Sequence, residues 1–176
     1  SIIEIESELL VVGLAPGVTG ANRTGRPFTG DHAGLILFNT LKKFGFSKGM
    51  YRENGYDDLE LDNCSITNAV RCVPPQNLPN TIEIKNCETY LKSTIKSHKN
   101  LRIIIALGLI SHKSIISTFK FKQKDFKFGH KNTHDLTNNI TLIDSYHCSR
   151  YNTNTKRLTQ EMFDNIFIET KKILMN

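Results

Sequence analysis

Residues 9–31, which read LLVVGLAPGVTGANRTGRPFTGD, decide the fold because they join a buried strand to a helix through an unusual loop. The run Leu9–Val12 has the unbroken apolar character of a strand covered on both faces. The loop that follows contains five glycines, two prolines and two arginines. Glycine lets a backbone approach a ligand closely, and arginine binds phosphate or carboxylate. The loop indicates either a ligand site or a long surface connection, and it matches neither a Walker loop nor a dinucleotide-binding loop.

Working outward from this stretch, further apolar runs predict the rest of a sheet. The predicted strands cover residues 9–14, 65–70, 101–107 and 140–143. The predicted helices follow Asp31 and cover about 80–97, 111–119 and 155–174. Strands that alternate with helices form right-handed βαβ units with a parallel sheet. The sequence therefore predicts an α/β fold, a three-layer α/β/α sandwich with a central four-stranded parallel sheet.

The remaining stretches give no second domain. Residues 120–139 are rich in lysine and phenylalanine, and we expect a hairpin or an excursion on the surface there. We expect residues 45–62 to be an irregular connection, and residues 1–176 to form one domain. Because Ser1 stands directly before a core strand, we also expect the chain to be trimmed at its N-terminus.

Composition restricts the function classes. The net charge of +6 favours an acidic partner, nucleic acid first, although a solvated lysine surface gives the same number. No apolar run approaches the roughly 20 residues that span a membrane. The four cysteines do not form the framework of a small secreted protein, so they indicate thiols or a metal centre in a reducing compartment.

Three chemically unusual segments are expected at one edge of the sheet. Ligands of such sheets bind outside the carboxyl ends of the strands. This rule brings together the opening loop, the segment 68–75 and the segment 145–155. Their convergence predicts a binding site.

These segments also carry a family resemblance. Residues 67–75 read TNAVRCVPP, and residues 145–153 read SYHCSRYNT. With the opening loop, they resemble the uracil-DNA glycosylase superfamily, above all its type-b (family 5) iron-sulfur branch, over about Leu10 to Thr159. The resemblance implies a DNA repair enzyme that flips out uracil, and other deaminated bases such as hypoxanthine or xanthine, and hydrolyses the N-glycosidic bond to leave an abasic site.

Two other functions stay open on the sequence. One is a DNA-binding module that kept the fold and lost catalysis, and the other is a hydrolase of free nucleosides or nucleotides. The intact Asn68 and His147 argue against the first, and the basic, arginine-bearing loops argue against the second.

The resemblance gives four residues central roles. The Asn68 amide would pair with the uracil edge, or else it is a buried asparagine at a strand end. Phe28 would stack on the base, or else belong to the core. His147 would donate a hydrogen bond to the departing base anion. Many relatives carry an acid where this chain has Ala15, so water activation would pass to Asp31, whose alternative role is to cap its helix.

Other positions are expected to contact the nucleotide or DNA. In the opening loop these are Ala15, Pro16, Gly17, Asn22, Arg23 and Arg26. In the last motif they are Ser149, Arg150, Asn152 and Thr153, with Tyr151 as a wedge for the gap left by the base. The alternative for both arginines is structural pairing with nearby acids.

The resemblance further implies a [4Fe-4S] cluster. Cys72 and Cys87 match two of its four ligands by context, and the other two would lie upstream of Ser1. Cys64 and Cys148 match no cluster position, and buried free thiols are the alternative for all four. The expected partner is DNA, with no membrane, for a monomer of the prokaryotic cytoplasm acting at the nucleoid.

Overall fold

A mixed five-stranded sheet forms the centre of the molecule. A computed structural model of the chain describes residues 1–17, 24–73, 79–137 and 139–176. The strands of this sheet, in spatial order, are β4 (Cys64–Asn68), β1 (Leu9–Gly13), β5 (Ile103–Leu107), β7 (Thr141–Ser145) and β6 (Thr133–Asp135). The first four are parallel to one another, and β6 pairs antiparallel with β7. A separate ribbon pairs β2 (Ser47–Lys48) with β3 (Glu60–Leu61).

Helices cover both faces of the sheet. The helices are α1 (His32–Lys43), α2 (Thr81–Ser97), α3 (Leu109–Thr118), α4 (Arg150–Asn154) and α5 (Gln160–Met175). Side chains of a strand alternate between faces, so Leu9 and Val11 pack with α1 and α5 while Leu10 and Val12 pack with α2 and α3. All residues of β1, β4 and β5 are buried, as expected for parallel strands between two helical layers. The predicted three-layer α/β/α sandwich with a four-stranded parallel sheet is confirmed.

The last predicted helix, over about 155–174, is present but begins later than predicted. The region 155–174 contains the start of α5 at Gln160, preceded by the separate short helix α4. Lys156 has φ +58°, and the Thr159 side chain accepts from the Met162 N–H, so the backbone turns before a newly capped helix begins. Leu158 is buried in the turn and is not part of the helix stripe.

The lysine-rich excursion carries more structure than a surface hairpin. It contains a 3₁₀ turn over Gln123–Asp125 and then β6, which extends the sheet by a fifth strand. Polar residues with one exposed face are typical of an edge strand, and all three β6 residues retain solvent contact. Among the described residues, no helix has the length and apolarity needed to cross a bilayer.

Candidate active site

Asn68 and Gly13 form the floor of the site at the carboxyl ends of two paired strands. They are register partners across β1 and β4, and the chain beyond them stays paired through Ala69 N–H to the Gly13 carbonyl at 2.8 Å. Asn68 is 6% exposed, yet its buried Oδ1 has no hydrogen-bond partner among the described residues. A Cβ atom on Gly13 would overlap both this oxygen and the ring of Phe28, so only glycine lets the two side chains meet here. An unsatisfied buried acceptor is costly in a folded protein, and a ligand that donates a hydrogen bond here would satisfy it.

Phe28 is held in the site by a strained backbone. It has φ +60°, an unusual conformation for a bulky residue, and its ring is 94% buried. The hydroxyl of Tyr51 donates to the Phe28 carbonyl at 3.2 Å and accepts from the Gly30 N–H at 3.1 Å. Burial raises the pKa of Tyr51, so the phenol keeps the proton that it donates. Nothing in the sequence pattern distinguished Tyr51, because it lies in the irregular connection 45–62.

His147 faces Phe28 from the end of β7. The two rings are stacked with centroids 6.2 Å apart. Within the described residues, neither ring nitrogen of His147 has a hydrogen-bond partner, while its carbonyl accepts from Asn152 Nδ2 at 2.8 Å. Burial lowers the pKa of His147, and the negative charge of Asp31 opposes that shift. A neutral imidazole with an unused N–H is suited to donate a hydrogen bond to a developing anion.

The two carboxylate oxygens of Asp31 lie in different surroundings, so the residue can cap a helix and also face the site. Its Oδ1 accepts from the Gly34 N–H at 2.8 Å and so caps α1, as the structural alternative required. Its Oδ2 lies toward Gly17, at ordinary van der Waals distance from where a Cβ there would be. Asp31 is only partly buried, and its negative charge raises the pKa of His147. One carboxylate oxygen is therefore used by the helix and the other faces the opening loop.

Arg26 is paired away from any phosphate. Its guanidinium binds Asp57 through both terminal nitrogens, with Nη1 at 2.6 Å from Oδ1, and Nε donates to Thr29 at 2.7 Å. The pairing holds the pKa of Asp57 well below its usual range. A two-point arginine–carboxylate pair is specific and strong, so the structural pairing given as the alternative for Arg26 is observed, and its phosphate contact stays a prediction. This pair anchors the connection 45–62 to the opening loop.

The last motif forms α4 and its cap. Ser149 is the N-cap, and Thr153 Oγ1 lies 3.0 Å from His32 Nε2, which ties α4 to the start of α1. Arg150 and Tyr151 are exposed, and the Tyr151 side chain is 72% exposed. Asn152 instead supports the His147 loop. The segment thus divides into two solvent-facing residues and three that fix the site.

The opening loop is described only in part. Ala15, Pro16 and Gly17 are partly buried and follow β1 at the same edge of the sheet. The predicted contacts at Asn22 and Arg23 lie outside the described residues, as do Pro74 and Pro75.

A cavity of about 510 Å³ opens beside His147. Its lining is Leu14, Leu107, Gly108, Leu109, Ile110, Phe128, Tyr146, His147, Asn152 and Arg157. The Arg157 guanidinium lies over the Tyr146 ring at 4.9 Å and supplies positive charge at the cavity. A larger cavity of about 890 Å³ lies at the opposite edge of the sheet, away from the three motifs, and its Glu6 and Glu8 are paired with Lys99 and Arg102. Sequence reasoning missed Phe128 and Arg157, whose positions depend on how the excursion and α4 fold back.

The cysteines separate into two pairs. Burial raises the pKa of Cys148 to about 12 and that of Cys64 further, and their thiols donate to carbonyl oxygens of Ala33 and Ser65. Cluster ligands are thiolates, so these two do not fit an iron-sulfur cluster. Cys72 is exposed and Cys87 is buried, and the Arg71 N–H donates to Cys87 Sγ at 3.5 Å. Among the described residues the cysteines form no clear cluster site, and Cys72 and Cys87 stay the two predicted ligands.

A second polar cluster lies on the same edge of the sheet. Asp144 Oδ1 is 2.7 Å from His112 Nδ1, and Asp144 Oδ2 accepts from His134 Nε2 at 3.0 Å. The Gly129 N–H also reaches Asp144 at 3.3 Å, and His112 Nε2 donates to the Phe126 carbonyl at 2.9 Å. Among the described residues, this is the one group with three side chains spaced for a metal ion. Its ligand atoms already satisfy one another, so the cluster is complete as a hydrogen-bond network that fixes residues 126–134 to β7.

Comparison with known proteins agrees with the motifs. A family model described as the uracil DNA glycosylase superfamily matches residues 1–171. The type-5 uracil-DNA glycosylase of Thermus thermophilus is 39% identical over 168 residues, which cover 96% of this chain and 76% of that protein. The type-5 enzyme of Pyrobaculum aerophilum is 35% identical over 160 residues, covering 90% and 68%. The type-4 uracil-DNA glycosylase of Sulfurisphaera tokodaii is 31% identical over 172 residues, covering 92% and 69%.

Proposed function

This chain belongs to the uracil-DNA glycosylase superfamily, and we propose that it removes uracil from DNA by hydrolysing the N-glycosidic bond. The observation that carries this proposal is the Oδ1 of Asn68 next to the Phe28 ring, on which His147 stacks; among the described residues neither this oxygen nor the ring nitrogens of His147 have a hydrogen-bond partner. A module that binds only the DNA backbone has no need of an unsatisfied acceptor that matches the edge of a base. The neighbouring cavity gives room for the sugar and phosphates of an extruded nucleotide.

The reaction requires recognition of the base and stabilisation of the charge that it takes away. The Asn68 Oδ1 accepts the N–H of the uracil edge, and the amide nitrogen donates to the adjacent carbonyl. Phe28 supplies a stacking face worth about 1–3 kcal/mol. As the bond breaks, negative charge collects on the base, and the neutral His147 donates a hydrogen bond to the oxygen that carries it. A preorganised donor of this kind is worth roughly 10²–10³ in rate.

Water must attack the sugar as the base departs. Ala15 provides no acid at the position where many relatives carry one, so Asp31 is the acid we assign to this step. Its Oδ2 is the oxygen not used by the helix cap, and it faces the opening loop. Asp31 would orient the water and stabilise positive charge on the sugar.

The iron-sulfur cluster is a further part of the proposal. Cys72 and Cys87 would hold two corners of a [4Fe-4S] cluster, and two thiolates from elsewhere would complete it. When bound, the cluster supplies a covalent cross-link between the segment after β4 and α2. Iron and acid-labile sulfide in the anaerobically purified full-length protein, lost in Cys87→Ala, would support this assignment, whereas iron-free full-length protein would end it.

A single set of excision assays tests the function. The substrates are a uracil duplex, a uracil single strand, free deoxyuridine, and duplexes with hypoxanthine or xanthine. We expect release of free uracil from DNA, and single-turnover rates that fall at least 100-fold in His147→Ala and clearly in Asp31→Ala. Binding without release would indicate an inactive module, and release from deoxyuridine alone would indicate a nucleoside hydrolase. We place this activity at the nucleoid of a prokaryotic cytoplasm, in a monomeric single domain.

A further inference from the structure

The positive charge of the chain is concentrated in one segment. Residues 113–131 contain six lysines and one acid, so they hold +5 of the net charge of +6. We name these lysines the lysine strip: Lys113, Lys120, Lys122, Lys124, Lys127 and Lys131. All six are exposed. The rest of the chain is close to neutral, so the basicity belongs to this surface and not to the molecule as a whole.

The strip is not neutralised by the protein itself. In the part of the chain that the structure describes, none of its ammonium groups forms an ion pair. Elsewhere four lysines do form them: Lys43 with Asp164, Lys48 with Asp62, Lys99 with Glu6 and Lys172 with Glu169. Unpaired ammonium groups close to one another repel, which destabilises the folded protein. Binding of a polyanion relieves this repulsion and so stabilises the fold.

The strip is fixed in position and begins at the active site. Phe128, between Lys127 and Lys131, lines the cavity beside His147, and the Lys131 N–H donates to the Asp144 carbonyl at 2.8 Å. At the other end, Phe121 stacks on Phe126 with centroids 5.1 Å apart. The strip runs along α3, whose ten residues span roughly 15 Å.

Two lysines of the strip occupy positions that favour glycine. Lys120 has φ +60° and Lys131 has φ +69°. Lys120 follows α3 at the C′ position of a Schellman ending, since its N–H donates to the Ser117 carbonyl at 2.8 Å and the Phe121 N–H to the Ile116 carbonyl at 3.2 Å. A side chain there is strained and glycine is not, so replacing either lysine with glycine removes a positive charge without straining the fold.

We propose that the lysine strip binds backbone phosphates of the substrate DNA on one side of the extruded nucleotide. The proposal rests on the proposed function for its ligand. Its continuity with the cavity favours DNA over an acidic protein, because one polyanion can then reach both the strip and His147. The strip adds affinity and takes no part in bond cleavage.

The test compares two double variants with the same net charge. Lys124→Gln/Lys127→Gln changes the strip, whereas Lys42→Gln/Lys96→Gln changes exposed lysines near the ends of α1 and α2, which run away from the active edge. Anisotropy of an undamaged labelled duplex is measured across a salt series. The strip variant should bind about tenfold more weakly, with a salt slope smaller by about 1.8, and the control should match the native protein.

The glycine variants separate binding from folding. Lys120→Gly and Lys131→Gly should each raise the melting temperature or leave it unchanged while weakening DNA binding. The single-turnover rate at saturating protein should stay unchanged for all strip variants. On a uracil trinucleotide too short to reach along the strip, kcat/KM should also stay unchanged.

The outcomes distinguish failure of the strip proposal from failure of the proposed reaction. Equal affinities and slopes for strip and control variants would overturn the strip as a phosphate site, whatever the excision assay shows. Loss of binding in the strip variant, in a protein that releases no uracil, would support the strip and remove the proposed reaction.

Discussion

Two polar clusters lie at the same edge of the sheet, and they differ in whether their hydrogen bonds are satisfied. In the cluster around Asp144, the carboxylate accepts from His112, His134 and the backbone of Gly129. In the cluster around Asn68, the buried Oδ1 has no partner and His147 leaves its ring nitrogens unused among the described residues. Burying an unsatisfied acceptor costs stability, and a ligand that donates a hydrogen bond to Asn68 Oδ1 would remove that cost. The first cluster supports the fold, and the second is the site.

The largest expected difference between the two clusters is their contribution to the stability of the protein. Asp144→Ala removes the acceptor of one buried and two partly buried donors and should lower the free energy of unfolding by about 3–5 kcal/mol. Urea unfolding measures it, and the folded variant should still excise uracil. A loss of the excision rate at unchanged stability would place Asp144 in the chemistry and remove the contrast.

A smaller effect is expected from filling the floor of the site. Gly13→Ala places a methyl group against the Phe28 ring and the Asn68 amide, which should cost about 1–3 kcal/mol and slow excision together. Gly17→Ala is the matched control for stability, because its nearest neighbour would be Asp31 Oδ2 at an ordinary 3.6 Å. Equal unfolding free energies for the two variants would contradict the placement of Phe28 and Asn68.

The smallest effect concerns the charge of His147. Burial lowers its pKa below the usual value of about 6.5, while Asp31 raises it. Asp31→Asn should therefore lower the pKa further, as followed by NMR titration of the imidazole. Because the folded state disfavours the proton, this residue reduces stability as the pH falls below the unfolded value. A raised pKa in Asp31→Asn would mean that the two groups do not interact as described.

The sequence predicted the fold and the site residues at strand ends. It did not predict the residues that hold those site residues in place. Asn68 and His147 follow apolar strands, and parallel strands bring their carboxyl ends to one edge, so their meeting could be foreseen. The partner of Arg26 is Asp57, which lies in the irregular connection 45–62. That connection has no hydrophobic periodicity from which its position could be predicted. The Asp144 cluster joins α3, β6 and β7, and no local spacing links residues from three elements. The Lys156 turn before α5 was missed because apolar spacing continues through Leu158.

The most direct test of the central claim is to measure uracil excision and unfolding on the same preparation of Asn68→Ala. The account predicts a single-turnover rate at least 100-fold lower, with a free energy of unfolding that is unchanged or higher because a buried unsatisfied oxygen is removed. A protein that unfolds more easily but excises uracil at the native rate would show Asn68 to be structural and would contradict the account.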